Sequence, residues 1–176
     1  QGVKPANGKP HSGGQPKGGG SNGFCNCWIE PDNDYTLAMG PNDDFSSALI
    51  NLPFDFNLYG VPYNTCYVNN NGNVSFGTPY GTYSADPFPT AGFSMLAPFW
   101  ADVDTRGEDG NGLNGGTVKY KITPTAMYVN WTEVGYFSAQ TDKHNTLQLI
   151  FTDGTDPVIG VGNNVAFCYK DMQWTT

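Results

Sequence analysis

Asp102 and Asp104 stand two residues apart, so on an extended strand their carboxylates share a face. Glu108, Asp109 and Asn111 follow in a glycine-rich stretch that can fold back on them. Calcium takes six to eight hard oxygens, which makes these five residues the candidate ligand set. Against an EF-hand-like loop, Arg106 stands where an acceptor belongs and no Glu closes the twelfth position. Arg106 is itself a good fork partner for either aspartate, so an Arg–carboxylate clasp holding a loop is an equal reading. The same acids invite a glycosidase reading, with Asp102, Asp104 or Glu133 as paired carboxylates and Trp100 or Trp131 as a sugar platform. Yet Trp131 alternates with strand residues and Trp100 follows Phe99, so both are expected to be structural core residues. The two histidines, His11 and His144, fall in a Gly-rich segment and an expected loop, where neither positions a nucleophile. The chain therefore reads as non-enzymatic and without a required cofactor, calcium being the one candidate ion.

Four cysteines, Cys25, Cys27, Cys66 and Cys168, allow three complete pairings. Cys25 and Cys27 are too close to bridge each other easily, so each is expected to reach out, one to Cys66 and one to Cys168. Each link would close a loop of tens of residues, credited by the chain-entropy model with about 3 to 4.5 kcal/mol. A zinc site is disfavoured, because no Cys-x-x-Cys pair occurs and Cys66 and Cys168 stand singly. Asn69, Asn70, Asn71 and Asn73, around Gly72, mark a tight reversal and are the candidate binding loop, with residues 107–116 as a second. Other acidic pairs, Asp32 with Asp34 and Asp43 with Asp44, lie among Pro and Asn and read as solvated turns. Sequons at Asn73 and Asn130 are no more frequent than chance allows, and the second would be accessible only on an exposed strand face.

The elements that position these groups are strands. Val118, Tyr120 and Ile122 alternate with Thr117, Lys119 and Lys121, and Met127, Val129 and Trp131 share a face of the next run. Thr123-Pro124-Thr125 between them makes the pair a hairpin. Residues 145–152 and 164–169 supply two further strands, and 66–68 with 74–76 flank the Asn-rich turn. No stretch of ten or more residues carries a helical apolar stripe. The expected fold is all-β: a β-sandwich of short, mainly antiparallel strands with little helix, behind an extended Gly/Pro-rich leader.

Composition agrees. Among 176 residues are 23 Gly and 13 Pro, but also 25 aromatics (11 Phe, 10 Tyr, 4 Trp), enough to bury large area per residue. The net charge of −8 excludes a duplex-binding basic face, so no nucleic-acid partner is expected. No run approaches the about 18 to 20 apolar residues of a membrane-spanning helix. Residues 1–23 hold eight Gly, three Pro, three Lys and no acid, so the other 153 carry all 16 acids against five bases. These 23 residues read as a flexible leader, and 24–176 as one domain. The alternative is that the leader's backbone is captured along the sheet edge of the next copy in a homopolymer.

The blocks Val68–Phe76, Ala97-Pro98-Phe99-Trp100-Ala101-Asp102-Val103-Asp104-Thr105-Arg106, Val129-Asn130-Trp131 and the final Asp171-Met172-Gln173-Trp174-Thr175-Thr176 occur in one order. In that order they resemble the nidogen-like (NIDO) domain family over residues 60–176, with exported bacterial-type members nearest. The resemblance implies a secreted or cell-surface module of adhesion or extracellular matrix assembly without known catalysis, whose partner is an extracellular protein or glycan. A lectin-like or carbohydrate-active sandwich is the remaining alternative. Trp174, in the last block, is expected to be structural. The family pattern runs on into a Gly-rich stretch past Thr176, so the chain is expected to stop before the domain does.

Overall fold

The computed structural model describes residues 27–88, 92–108 and 115–175. Ten strands form in chain order: β1 (Thr36–Leu37), β2 (Ile50–Leu58), β3 (Val61–Asn69), β4 (Asn73–Phe76), β5 (Ser94–Leu96), β6 (Val103–Asp104), β7 (Thr117–Ile122), β8 (Ala126–Tyr136), β9 (Gln140–Thr152) and β10 (Val165–Met172). A 3-10 turn at Pro157–Ile159 is the only helical piece among the described residues. One sheet runs β1-β7-β8-β9-β10, with β6 pairing on β8; the other runs β2-β3-β4-β5. Every pairing is antiparallel. The all-β expectation is correct.

The two sheets close on a shared aromatic core. Phe151 of β9 meets Phe56 of β2 at 5.0 Å between ring centroids and Phe76 of β4 at 6.0 Å, both edge-on, the favoured geometry for aromatic pairs. Met127, Val129 and Trp131 of β8 and Leu147 and Leu149 of β9 fill the space between the sheets, all with zero exposure. The expected hairpin forms in register, Val118 opposite Trp131 and Ile122 opposite Met127, and Thr123 closes its turn through hydrogen bonds with Ala126.

Alternation predicts one buried face per strand, but β8 and β9 are buried on both. Tyr128 and Ile150, on the face away from the sandwich core, lie with Cys168 beneath Cys27, Trp28 and Tyr35. A strap from Cys27 to Tyr35 crosses that face. The side-chain amide of Gln148 fastens it as a backbone would, accepting from the Ile29 N–H at 3.0 Å and donating to the Ile29 carbonyl at 2.9 Å. At its start, Cys27 is disulfide-bonded to Cys168, with Cα atoms 5.9 Å apart.

Three expectations need correction here. The second bridge, to Cys66, does not exist: Cys66 is a free thiol, fully buried in the core between the sheets against Met127. It lies on the inward face of β3, so the disulfide found among the described residues ties the strap to a single sheet rather than across both. Cys25 lies outside the described residues. Strand β2 was not anticipated, although Ile50, Leu52, Phe54 and Phe56 alternate strictly with Asn51, Pro53 and Asp55. Pro53 argues against a central strand, and β2 is an edge strand whose register shifts between Asn51 and Phe56, where a missing N–H costs no ladder bond. Finally, Asn69, Asn70, Asn71 and Asn73 are not presented to solvent: all four have zero exposure.

Candidate functional site

The buried Asn turn is the floor on which one end of the sandwich is built. An amide side chain carries two donors and an acceptor, so it can replace absent ladder partners where chains cross irregularly. Asn70 donates to the carbonyls of Asn42, Asp43 and Val103. Asn71 accepts from the Val103 N–H at 2.9 Å and donates to an Asp44 carboxylate oxygen at 2.8 Å and to the Gly81 carbonyl. Asn69 donates to Asn73 Oδ1 and Ser75 Oγ. From the core side, the Trp131 indole N–H donates to the carbonyls of Asn69 and Asn70. Gly72 completes the reversal at φ 75°, and a Cβ there would sit 1.7 Å from the Phe99 carbonyl oxygen. The turn thus ties residues 42–44, 81 and 99–103 together.

Asp104 is held as a clasp. Its carboxylate has zero exposure and accepts from Arg106 Nε at 2.9 Å, Arg106 Nη2 at 2.6 Å, and the backbone N–H groups of Arg106 and Ala139. Burial pushes its pKa up, but the hydrogen bonds from the Arg106 side chain and backbone outweigh it and hold the carboxyl below the ordinary range. Arg106 also reaches Asp43 at 2.7 Å. Of the two sequence readings, clasp or ligand, Asp104 takes the first.

Among the described residues, the expected calcium ligands Asp102, Asp104 and Glu108 do not converge on one point. Asp104 is saturated by Arg106, Glu108 is exposed, and Asp109 and Asn111 lie outside the described residues. Asp102 meets a different pair: one oxygen each from Asp43, Asp44 and Asp102 lies within 4.8 Å of the others. Asp43 and Asp44 are therefore not a simple solvated turn. Burial first, then the neighbouring carboxylates, raises the pKa of Asp102, and burial followed by Asp104 raises that of Asp43. Such a cluster attracts a cationic group, be it a divalent ion or a guanidinium. Nothing in the linear sequence ties residue 43 to residue 102; the link is the Asn70–Asn71 turn beneath both.

Beside the acids lies a second aromatic group. Trp100 packs edge-on against Tyr80 at 5.6 Å and meets Phe88 at 5.9 Å, with its indole N–H on the Thr82 carbonyl. Phe45, Tyr83 and Phe88 project outward, 73%, 55% and 59% exposed. Phe45 follows Asp44 directly, and residues 81–82 are stitched to Asp44 and Trp100. One end of the molecule thus presents large apolar side chains next to carboxylates. Sequence reading missed it, although the run Asp43-Asp44-Phe45 was its visible signal.

The other singled-out residues have structural places. Trp174 donates to the Val134 carbonyl at 3.0 Å and packs on Phe99 and Tyr136. Glu133 lies in a separate groove with His144 and Lys170, so the three acids of the glycosidase reading do not form one pair. Asn73 and Asn130 are 0% and 1% exposed, and neither amide can carry a glycan in the folded chain.

Comparison with known proteins completes the picture. A family model described as NIDO related matches residues 29–174, beginning upstream of the blocks that carry the sequence resemblance. Mouse alpha-tectorin is 35% identical over 154 residues, covering 76% of this chain, and human alpha-tectorin 32% over 161 residues. Drosophila melanogaster nidogen is 25% identical over 135 residues, covering 65% of this chain. The chain spans only 7% of the tectorins and 10% of that nidogen. No solved structure matches significantly. Coverage of nearly the whole described domain by the family model, with a disulfide-pinned β-sandwich behind it, places this chain in the NIDO-related family of nidogen-like domains.

Proposed function

We propose that this chain is a non-catalytic extracellular matrix module that docks an extracellular protein through the end carrying Asp43, Asp44 and Asp102 beside Phe45, Tyr83 and Phe88. The extracellular setting is supported by the family and by the Cys27–Cys168 bond, since disulfides persist in oxidising compartments. The observation that carries the docking reading is the exposure of three large aromatic side chains next to carboxylates whose mutual repulsion is only partly relieved by Arg106. Aromatic anchors with charged neighbours are the usual make-up of an interface centre and its rim. The fitting partner offers basic groups around an apolar pocket.

Retention of the labelled chain on decellularised matrix tests this. Wild-type protein is expected to be retained, and retention to be lost with Phe45→Ala/Tyr83→Ala, with Asp43→Asn/Asp44→Asn, and after trypsin treatment of the matrix. Equal retention of both variants refutes the assignment. Loss on glycosidase treatment instead of trypsin would make the partner a glycan.

A further inference from the structure

On the opposite face of β8 from the core is a groove of about 290 Å³ between the strap, at Trp28 and Glu30, and the ends of β8, β9 and β10. Its charged lining is Glu30, Glu133 and Asp171 against Lys170. Lys170 is already spent: it pairs with Glu30 at 2.9 Å and lies 5.0 Å over the Trp28 ring. Glu133 and Asp171 are left without a cationic partner among the described residues. Glu133 reaches the groove by a deliberate irregularity. By alternation with Met127, Val129 and Trp131 it would point into the core, but β8 shifts register between Trp131 and Val134, Val134 takes the buried place, and Glu133 adopts φ 52°. Bulges are a common way to re-aim a side chain.

We propose that this groove holds lysine side chains, and that its occupant is the chain's own residues 1–23. Charge complementarity is the first argument: those residues carry Lys4, Lys9 and Lys17 and no acid, while the rest of the chain has 16 acids and five bases. Position is the second. The described chain begins at Cys27, one residue before Trp28 on the groove's rim, and is fixed there by the bond to Cys168. Lys17 is ten residues from that anchor, across Gly18-Gly19-Gly20. Even partly extended, at up to about 3.3 Å per residue, such a tether spans the groove. Short tethers give effective concentrations in the millimolar range, enough for individually weak charge pairs to persist. The groove shares no residue with the acidic–aromatic end, so its occupancy does not depend on the docking reading above.

Zero-length carbodiimide crosslinking of the full chain, in an equal mixture of isotope-labelled and unlabelled protein, tests the proposal. Links from Lys4, Lys9 or Lys17 to Glu133 or Asp171 are expected, each within a single isotopic parent. They are expected to disappear in Glu133→Gln/Asp171→Asn and to weaken in about 1 M salt, where the screening length is about 3 Å. Both replaced residues are exposed, so the variant keeps its fold, checked by unchanged circular dichroism. As a second readout, Lys4→Gln/Lys9→Gln/Lys17→Gln is expected to shift the Trp28 indole resonance. Absence of the links, their survival in the double variant, or links of mixed isotopic parentage would each overturn it, the last by showing that the occupant comes from another copy.

Discussion

Breaking the Cys27–Cys168 bond, by reduction or by Cys27→Ala/Cys168→Ala, removes a constraint that spans 141 residues. The chain-entropy relation gives about 5 kcal/mol for a loop of that length at 25 °C, and measured losses for native disulfides fall at about 2 to 5 kcal/mol. The bond also anchors the strap that covers Tyr128 and Ile150, so the strap's own burial is at stake once its end is freed. Against a typical total of about 5 to 15 kcal/mol, a loss of about 3 to 5 is a large fraction. Urea unfolding followed by tryptophan fluorescence, with and without reductant, measures it. Stability is expected to fall by that amount and the m-value to rise, because the unfolded chain without its cross-link exposes more surface. Cys66 serves as an internal control: burial pushes its thiol up to about 12, so iodoacetamide should label it only in denaturant. A loss below about 1 kcal/mol, or a Cys66 found bridged, would refute the reasoning.

Trp131→Phe removes the donor to the Asn69 and Asn70 carbonyls and leaves a void in a site of zero exposure, so a loss of about 2 to 4 kcal/mol is expected in the same assay. Asp102→Asn should stabilise the chain at neutral pH by up to about 1 kcal/mol, because the folded state raises that carboxyl's pKa and so disfavours its charged form; the gain should vanish as acid protonates Asp102 in the wild type. Asp104 behaves oppositely. Its lowered pKa contributes stability above the ordinary carboxylate range that is lost as pH falls through the folded value, and Asp104→Asn should flatten that acid limb of the stability curve. Mass spectrometry of protein secreted from eukaryotic cells should find Asn73 and Asn130 unmodified in the folded fraction, since both are buried.

How far the linear chain foretold this arrangement depended on the kind of signal. The β7–β8 hairpin was legible because alternation and turn chemistry agree over residues 117–131, and each side chain reports its own face. The clasp was half legible, since Arg106 lies two residues from Asp104 and local geometry allows the contact. The Asn turn was recognised as a reversal and misread as a surface. Polarity suggested exposure, but four amides can satisfy one another and the crossing backbone, which makes a buried polar network affordable only where several chain segments meet. Of the acidic–aromatic end only the run Asp43-Asp44-Phe45 was legible, because its assembly joins residues 43–45, 80–88 and 100–102 through contacts no local pattern encodes.

Asn71-Gly72 carries a chemical consequence of its burial. In an unstructured chain, an asparagine followed by glycine is especially prone to deamidation, because the unhindered glycine nitrogen attacks the preceding side-chain carbonyl and expels the side-chain nitrogen as ammonia, leaving a succinimide. Here the Gly72 nitrogen is engaged on the Asn70 carbonyl at 2.8 Å, while Asn71 is gripped at both ends by Val103, Asp44 and Gly81. Neither the nucleophile nor the electrophile can rotate into line without opening the sandwich. The spontaneous ageing clock built into that pair is held back by the fold, and its restart would report opening of the turn.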